Sequence, residues 1–274
     1  MGIRINTNIA AINTRRNLYN STTNFQKSME KLSSGLRINR AADDAAGLAI
    51  SEGLKSDIRA LEQASRNASD GISLVQTAEG ALDEVSSILL RMKELAEQSL
   101  NGTLSDTERG YLNSEYTALS DEIDRIANST EFNGIQLLDG TGGSVNIQVG
   151  ISTNTYDGIA VNLGTARDAA TLGLAAGVDT AANATTAMGE IDTAIQNVSS
   201  ARSDFGAVQN RLESSIRNIN NTAENLSAAN SRIRDVDVAS ETSRMTSYQI
   251  LQQAGVSVLA QANMTSGLAI TLLS

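Results

Sequence analysis

An apolar residue returns at every seventh position along two long stretches of this chain. Leu54, Leu61, Ala68, Val75, Leu82, Leu89 and Ala96 mark the first, and Ile191, Val198, Phe205, Leu212, Ile219, Leu226 and Ile233 mark the second. Between the members of the first series, Ala64, Gly71, Ala78, Val85 and Met92 complete most of a 3-4 pattern. A stripe of this length keeps one partner only if helices supercoil about each other. From Asp43 to about Leu100 such a helix would extend roughly 85 Å at 1.5 Å per residue. That is far longer than a helix of an ordinary globule.

The rest of the composition fits narrow helical seams better than a round core. Aromatic residues are only 3% of the 274 positions, so Ala, Leu, Ile and Val must do the packing. Proline is absent, and no ring clash interrupts a long helix. Cysteine and histidine are absent too. This removes disulfides, thiolate metal sites, the commonest general base and the commonest metal ligand. No catalytic residue, metal site or cofactor site is expected. A net charge of -10 repels phosphate backbones, which argues against a nucleic-acid partner and favours solubility.

Charge is unevenly placed. Met1 to Arg40 carries seven basic residues against the single acid Glu30, and Met245 to Ser274 carries no charged side chain. The N-terminus shows no apolar h-region, so no cleavable secretory signal is expected. Gln249, Gln252, Gln253, Gln261 and Asn263 interrupt the C-terminal segment, which points to burial in protein and not to a membrane span.

The periodicity divides the chain as follows. A first helical segment runs from about Ile3 to Leu36, with Phe25, Met29, Leu32 and Leu36 at helical spacing, and breaks at Ser33-Ser34-Gly35. Asp43 or Asp44 caps the next helix, over 43–101, which Asn101-Gly102 stops. Ser105-Asp106-Thr107-Glu108 reads as a capping box for a helix over 105–129. Its buried stripe is Leu112, Tyr116, Leu119, Ile123 and Ile126, with Asp121 and Arg125 paired across one turn. A β-rich patch follows over 131–177, where Val145, Ile147 and Val149, then Ile159, Val161 and Leu163, alternate with polar residues. The run Ala175 to Ala187 reads as a surface link. Helix resumes over 188–233, Asp235 to Ser240 forms a joint, and the charge-free helix closes the chain with Leu251, Gly255, Val258 and Ala262 on one face.

The expected fold is mainly α: a long antiparallel coiled-coil bundle with a small β-hairpin patch. Its seam is Leu61, Val75, Leu82, Val85, Leu89, Phe205, Leu212, Ile219 and Leu226. The terminal segments lie side by side, and neither has the apolar width to stay folded alone in water. Burial among further copies of the same chain is the simplest remedy.

The motifs resemble those of bacterial flagellin. Leu32-Ser33-Ser34-Gly35-Leu36-Arg37-Ile38-Asn39 followed by Ala41-Ala42-Asp43-Asp44-Ala45-Ala46-Gly47 is similar to that family's N-terminal signature. So are the block Gln63 to Ser73, Phe132-Asn133-Gly134, Ile147-Gln148-Val149-Gly150, Gln209-Asn210-Arg211-Leu212 and the run Ala254 to Asn263. The resemblance covers nearly the whole chain, in order. It implies a core-only flagellin, without the variable outer domains, that self-assembles into an extracellular filament for swimming. It also implies an inner core domain from 1–42 and 235–274 and an outer core domain from 43–234. By the same resemblance the chain leaves the cell by type III export with an export chaperone, and meets cap and junction proteins. Arg91, Leu95 and Glu115 match positions that contact a host Toll-like receptor or an axial neighbour. Leu90 stands where commonly recognised forms carry Gln, and the uncharged end Leu272-Leu273-Ser274 differs from forms ending in Arg. The alternative readings are a hook–filament junction protein, or a secreted coiled-coil adhesin.

Four smaller features have bland explanations. Asp43-Asp44 is better read as helix capping than as a metal or acid/base pair. Asp235 and Asp237 lie close enough to Arg232 and Arg234 to be satisfied by them. Asn67-Ala68-Ser69 and Asn128-Ser129-Thr130 fit a sequon pattern but read as helix surface. The zinc-protease helix reported for some flagellins is excluded here by the missing histidines.

Overall fold

The computed structural model describes residues 7–152 and 154–271. The expected helix start at Ile3 and the end Leu272-Leu273-Ser274 lie outside them. Six helices and four short strands follow in order: α1 (Ile9–Ser34), α2 (Ala45–Ser99), α3 (Asp106–Ser129), β1 (Glu131–Phe132), β2 (Ile135–Gln136), β3 (Ser144–Gln148), β4 (Gly158–Asn162), α4 (Ala169–Leu172), α5 (Ala181–Arg234) and α6 (Val238–Thr271). The chain forms two compact units, Met1–Ser56 with Asn225–Ser274, and Asp57–Glu224. The division falls inside α2 and α5, not at their ends.

In the unit Asp57–Glu224 the heptad pattern does what its period dictates. Along α2, Leu61, Ala64, Ala68, Val75, Ala78, Leu82, Val85, Leu89, Met92 and Ala96 are all buried, and Gly71 lies among them. Along α5, Ala184, Ala187, Ile191, Ala194, Val198, Ala201, Phe205, Leu212 and Ile219 face inward. The helices run antiparallel. Lys93 pairs with Asp192 at 2.6 Å and Asp83 with Arg202 at 2.8 Å, so the α5 number rises as the α2 number falls. These are exposed pairs and set register more than stability.

A second stripe on α2, Leu74, Ala81, Ile88 and Leu95, is also wholly or partly buried. Here α3 and the strands cover a flank that a two-helix seam would leave open. The capping box at Ser105 forms as expected: the Ser105 hydroxyl accepts from the Glu108 N–H, and the Glu108 carboxylate accepts from the Ser105 N–H. Tyr116 and Ile123 are buried and Leu112, Leu119 and Ile126 pack against them. The expected Asp121–Arg125 pair is replaced. Arg125 instead donates two hydrogen bonds, 2.8 and 2.6 Å long, to Glu122, the other helical neighbour within one turn.

β3 and β4 form an antiparallel hairpin with Val145 opposite Val161 and Ile147 opposite Ile159. The hairpin lies against the helices where α2 has no side chain. A Cβ on Gly71 would sit 3.0 Å from Ile147 Cγ1 and 3.3 Å from Leu212 Cδ1. The run Ala175 to Ala187 is not a surface link. Val178 is fully buried; its N–H donates to Asn113 Oδ1, and its carbonyl accepts from the buried Ser99 hydroxyl. Both Ala175 and Ala176 N–H groups donate to Glu190 Oε2, and α5 begins at Ala181, seven residues before the expected Met188. Small side chains give a weak periodic signal, yet they let the backbone lie close enough for these distant partners to hold it.

In the other unit, α1 and α6 pack antiparallel. Asn8 Nδ2 donates to the Ala262 carbonyl at 2.8 Å, Leu18 meets Gly255, and Thr22 accepts from Gln252.

Candidate assembly surfaces

The α1–α6 pair is a helical hairpin whose contact face is only partly buried. The residues turned toward the partner helix are Leu18, Phe25, Ser28 and Leu32 on α1, and Glu241, Met245, Tyr248, Gln252, Gly255, Leu259 and Ala262 on α6. The α6 series steps by three and four, and the α1 series by seven, three and four, both of which hold one helix face. Among the described residues of these two helices only Ser28 and Glu241 are buried, and both are polar. The apolar side chains lie outside instead: Ile9, Ile12, Tyr19 and Met29 on α1, and Val238, Ile250, Leu251, Val256, Val258 and Met264 on α6, are all exposed.

The expected face of α6 therefore divides. Gly255 and Ala262 are half-buried against α1, whereas Leu251 and Val258 are 53% and 54% exposed. Positions 251 and 258 each stand one residue off the 3-4 stripe through Gln252, Gly255, Leu259 and Ala262 that meets α1. Met29 is likewise off the inner face of α1, where Ser28 takes its place. Gly255 serves close approach, since an added Cβ would meet Leu18 Cδ1 at 3.2 Å.

A polar clasp holds the two chain breaks together at the base of this pair. Leu36 and Asp235 form an antiparallel bridge, with Val236 N–H donating to the Gly35 carbonyl and Arg37 N–H to the Arg234 carbonyl. The Arg37 guanidinium donates to the Ile233 carbonyl, and Arg234 pairs with Glu52. Asp44 caps α2 by accepting from the Gly47 N–H at 2.8 Å, and Asp43 accepts from the N–H groups of Asn39 and Arg40. The Arg40 N–H holds the Asp43 carboxyl below its ordinary pKa. Asp237 accepts from the Ala239 and Ser240 N–H groups and caps α6. Arg234 is thus engaged across the clasp and not with its sequence neighbours Asp235 and Asp237. Nothing in the linear pattern pairs Glu52 with Arg234 or Arg37 with Ile233, so the clasp is visible only in three dimensions.

In the unit Asp57–Glu224, Arg91 donates to Glu115 Oε1 at 2.8 and 3.0 Å and to Glu94 Oε2 at 2.9 Å. These carboxylates raise the Arg91 pKa further above its usual value. Arg91 and Glu115 are exposed together, beside exposed Leu90 and Tyr111. Leu95 takes no part in that surface. It is fully buried at the end of the second α2 stripe, under the cover of α3 and its neighbours. The seam residues Leu61, Val75, Leu82, Val85, Leu89, Phe205, Leu212 and Ile219 are buried, and Leu226 is half-buried. Asn67 of the first sequon-like triplet donates to the Gln148 carbonyl of the hairpin. Among the described residues no group of three or more Asp or Glu is placed to hold a metal ion, and no helix is long and apolar enough to cross a membrane.

Comparison with known proteins agrees with this arrangement of paired terminal helices and heptad seam. Residues 5–142 match the family model of the bacterial flagellin N-terminal helical region, and residues 188–273 match that of the C-terminal helical region. The chain is 51% identical to a flagellin of Halalkalibacterium halodurans over 262 residues, covering 94% of this chain and 95% of that one. It is 47% identical to a Bacillus subtilis flagellin over 293 residues, covering 95% and 96%. The crystal structure of Bacillus cereus flagellin superposes with a TM-score of 0.52 at 36% identity, over 60% of this chain and 94% of that one. These relatives do not favour the junction-protein or adhesin readings. The chain belongs to the bacterial flagellin family and is a structural subunit of the extracellular flagellar filament.

Proposed function

We propose that copies of this chain polymerise by covering the apolar surface that α1 and α6 leave in water. The observation that carries this reading is the apolar surface the terminal hairpin leaves uncovered: its inner face is only half-buried, and Ile9, Ile12, Met29, Ile250, Leu251, Val256, Val258 and Met264 are exposed. Exposed apolar surface of this extent marks an interface. Leu251 and Val258 then contact neighbouring copies, while Gly255 and Ala262 keep α6 against α1. In this reading 1–42 and 235–274 form the inner core of the filament and 43–234 its outer core. The chain acts by assembly and catalyses nothing. An export chaperone would cover the same apolar helices before secretion, and cap and junction proteins would bound the polymer. A host Toll-like receptor would reach the Arg91–Glu115 surface on the free subunit, with Leu90 altering its fit.

Deleting residues 245–274 tests the central point. Electron microscopy and sedimentation should show no filaments from seeds, while circular dichroism retains the helical signal of the unit Asp57–Glu224. Normal filaments from the shortened chain would overturn the proposal.

A further inference from the structure

The chain has no cysteine, so its sulfur lies only in its six methionines. Among the described residues the two units treat them differently. In the unit Asp57–Glu224, Met92 has no exposed surface in the α2 seam, and Met188 packs half-buried against the same core. In the unit of α1 and α6, Met245 is half-buried on the face turned to α1, but Met29 and Met264 are 51% and 57% exposed. The most accessible sulfur of the described chain is thus confined to the two helices that leave apolar surface in water.

A thioether packs as a flexible apolar side chain. Its sulfur also carries a lone pair, and an exposed one reacts with peroxide before a buried one. The lone pair attacks one oxygen of hydrogen peroxide, the O–O bond breaks, an S–O bond forms, and the other oxygen leaves with both hydrogens as water. Sulfur loses two electrons and the peroxide gains them. The product, methionine sulfoxide, is polar and accepts hydrogen bonds, so it resists burial against aliphatic side chains. Met29 stands four residues after Phe25 and three before Leu32, in line with the contact face of α1. Met264 stands in the segment from Met245 onward, which offers the new oxygen no cation.

We propose that Met29 and Met264 form a redox-sensitive modification site: peroxide converts both to sulfoxides on the free subunit and thereby blocks its addition to a filament. This rests on the filament-forming reading above and adds a chemical control to it. A sulfoxide reductase returns the thioether by oxidising a dithiol to a disulfide and releasing the oxygen as water, so the block is reversible. Met92 takes no part, because the seam must open before peroxide reaches it.

Full-length monomer is treated with dilute hydrogen peroxide, quenched, mapped by peptide mass spectrometry and offered to filament seeds. Met29 and Met264 should oxidise at least tenfold faster than Met92, and seeded elongation should slow at least tenfold with the circular dichroism of the monomer unchanged. Methionine sulfoxide reductase with dithiothreitol should restore the rate as the two sulfoxides disappear. The double variant Met29→Leu with Met264→Leu keeps the other methionines and should elongate within twofold of its untreated rate after the same peroxide treatment. Oxidised wild-type chain that elongates normally, that loses its helical signal, or that the reductase fails to restore would overturn the proposal and leave the filament reading intact. So would a double variant slowed by peroxide as much as wild type. If the double variant does not polymerise even untreated, the reductase arm on wild-type chain decides alone. Untreated wild-type chain that never polymerises on seeds overturns both.

Discussion

Replacing Val85 by Asp places the heptad register under its most direct test. Val85 has no exposed surface and sits in the α2 seam between Leu82 and Leu89. The substitution removes about 1.5–3 kcal/mol of apolar burial. It also buries a carboxylate in the apolar cluster of the seam, which costs several kcal/mol more even after the group relaxes or takes up a proton. Together these exceed about 5 kcal/mol, against a domain stability of about 5–15 kcal/mol. For a unit of this size each kcal/mol moves the melting temperature by about 2–4 °C, so a fall of more than 10 °C is expected. Leu82→Ala provides a graded companion, at about 2–5 kcal/mol. Glu84→Ala, on the exposed side of the same turn, should stay within about 0.5 kcal/mol. Thermal unfolding by circular dichroism reads all three. Acidification should return part of the Val85→Asp loss, because the neutral acid costs less to bury. A melting temperature for Val85→Asp within 2 °C of wild type, or a large loss from Glu84→Ala, would refute the assigned register.

Two further outcomes are expected. Burial, with the nearby Glu190 charge, pushes the Tyr116 hydroxyl up to about 12 from its ordinary 10. A folded pKa above the unfolded one leaves stability whole below pH 10 and erodes it as pH climbs toward 12, by about 3 kcal/mol at most. Tyr116→Phe should flatten that alkaline decline without loss at neutral pH, since the buried hydroxyl has no hydrogen-bond partner; an unchanged alkaline profile would contradict the assignment. Gly71→Val should drive its side chain into Ile147 and Leu212 and destabilise by about 1–3 kcal/mol, offset by less than about 1 kcal/mol of helix propensity; an unmoved urea midpoint would show that the hairpin can retreat.

Much of the architecture is already written in the order of residues. A repeat of seven sustained from Leu61 to Ala96 has one helical solution, because only a 3.5-residue period keeps those side chains on one seam. The capping box at Ser105 and the alternation of Val145, Ile147 and Val149 are local as well. Each depends on residues within a turn or a strand, so their spacing alone specifies them. The blocks from Leu32 to Gly47 and from Gln63 to Ser73 carried the family in the same way.

What folding alone decided depends on partners far apart in the chain. Leu95 looks like a flank of the seam until α3 covers it. The Ala- and Gly-rich run before Met188 looks like a linker until Asn113, Ser99 and Glu190 hold its backbone. The C-terminal helix carries no charge from Met245 onward and mixes apolar with Gln, Asn, Ser and Thr side chains, so its sequence alone does not say which side meets α1. Packing assigns Gly255 to the inside, because close approach needs its missing side chain, and leaves Leu251 and Val258 in water. Periodicity fixes which residues share a face, but which face is covered depends on what the rest of the chain brings against it.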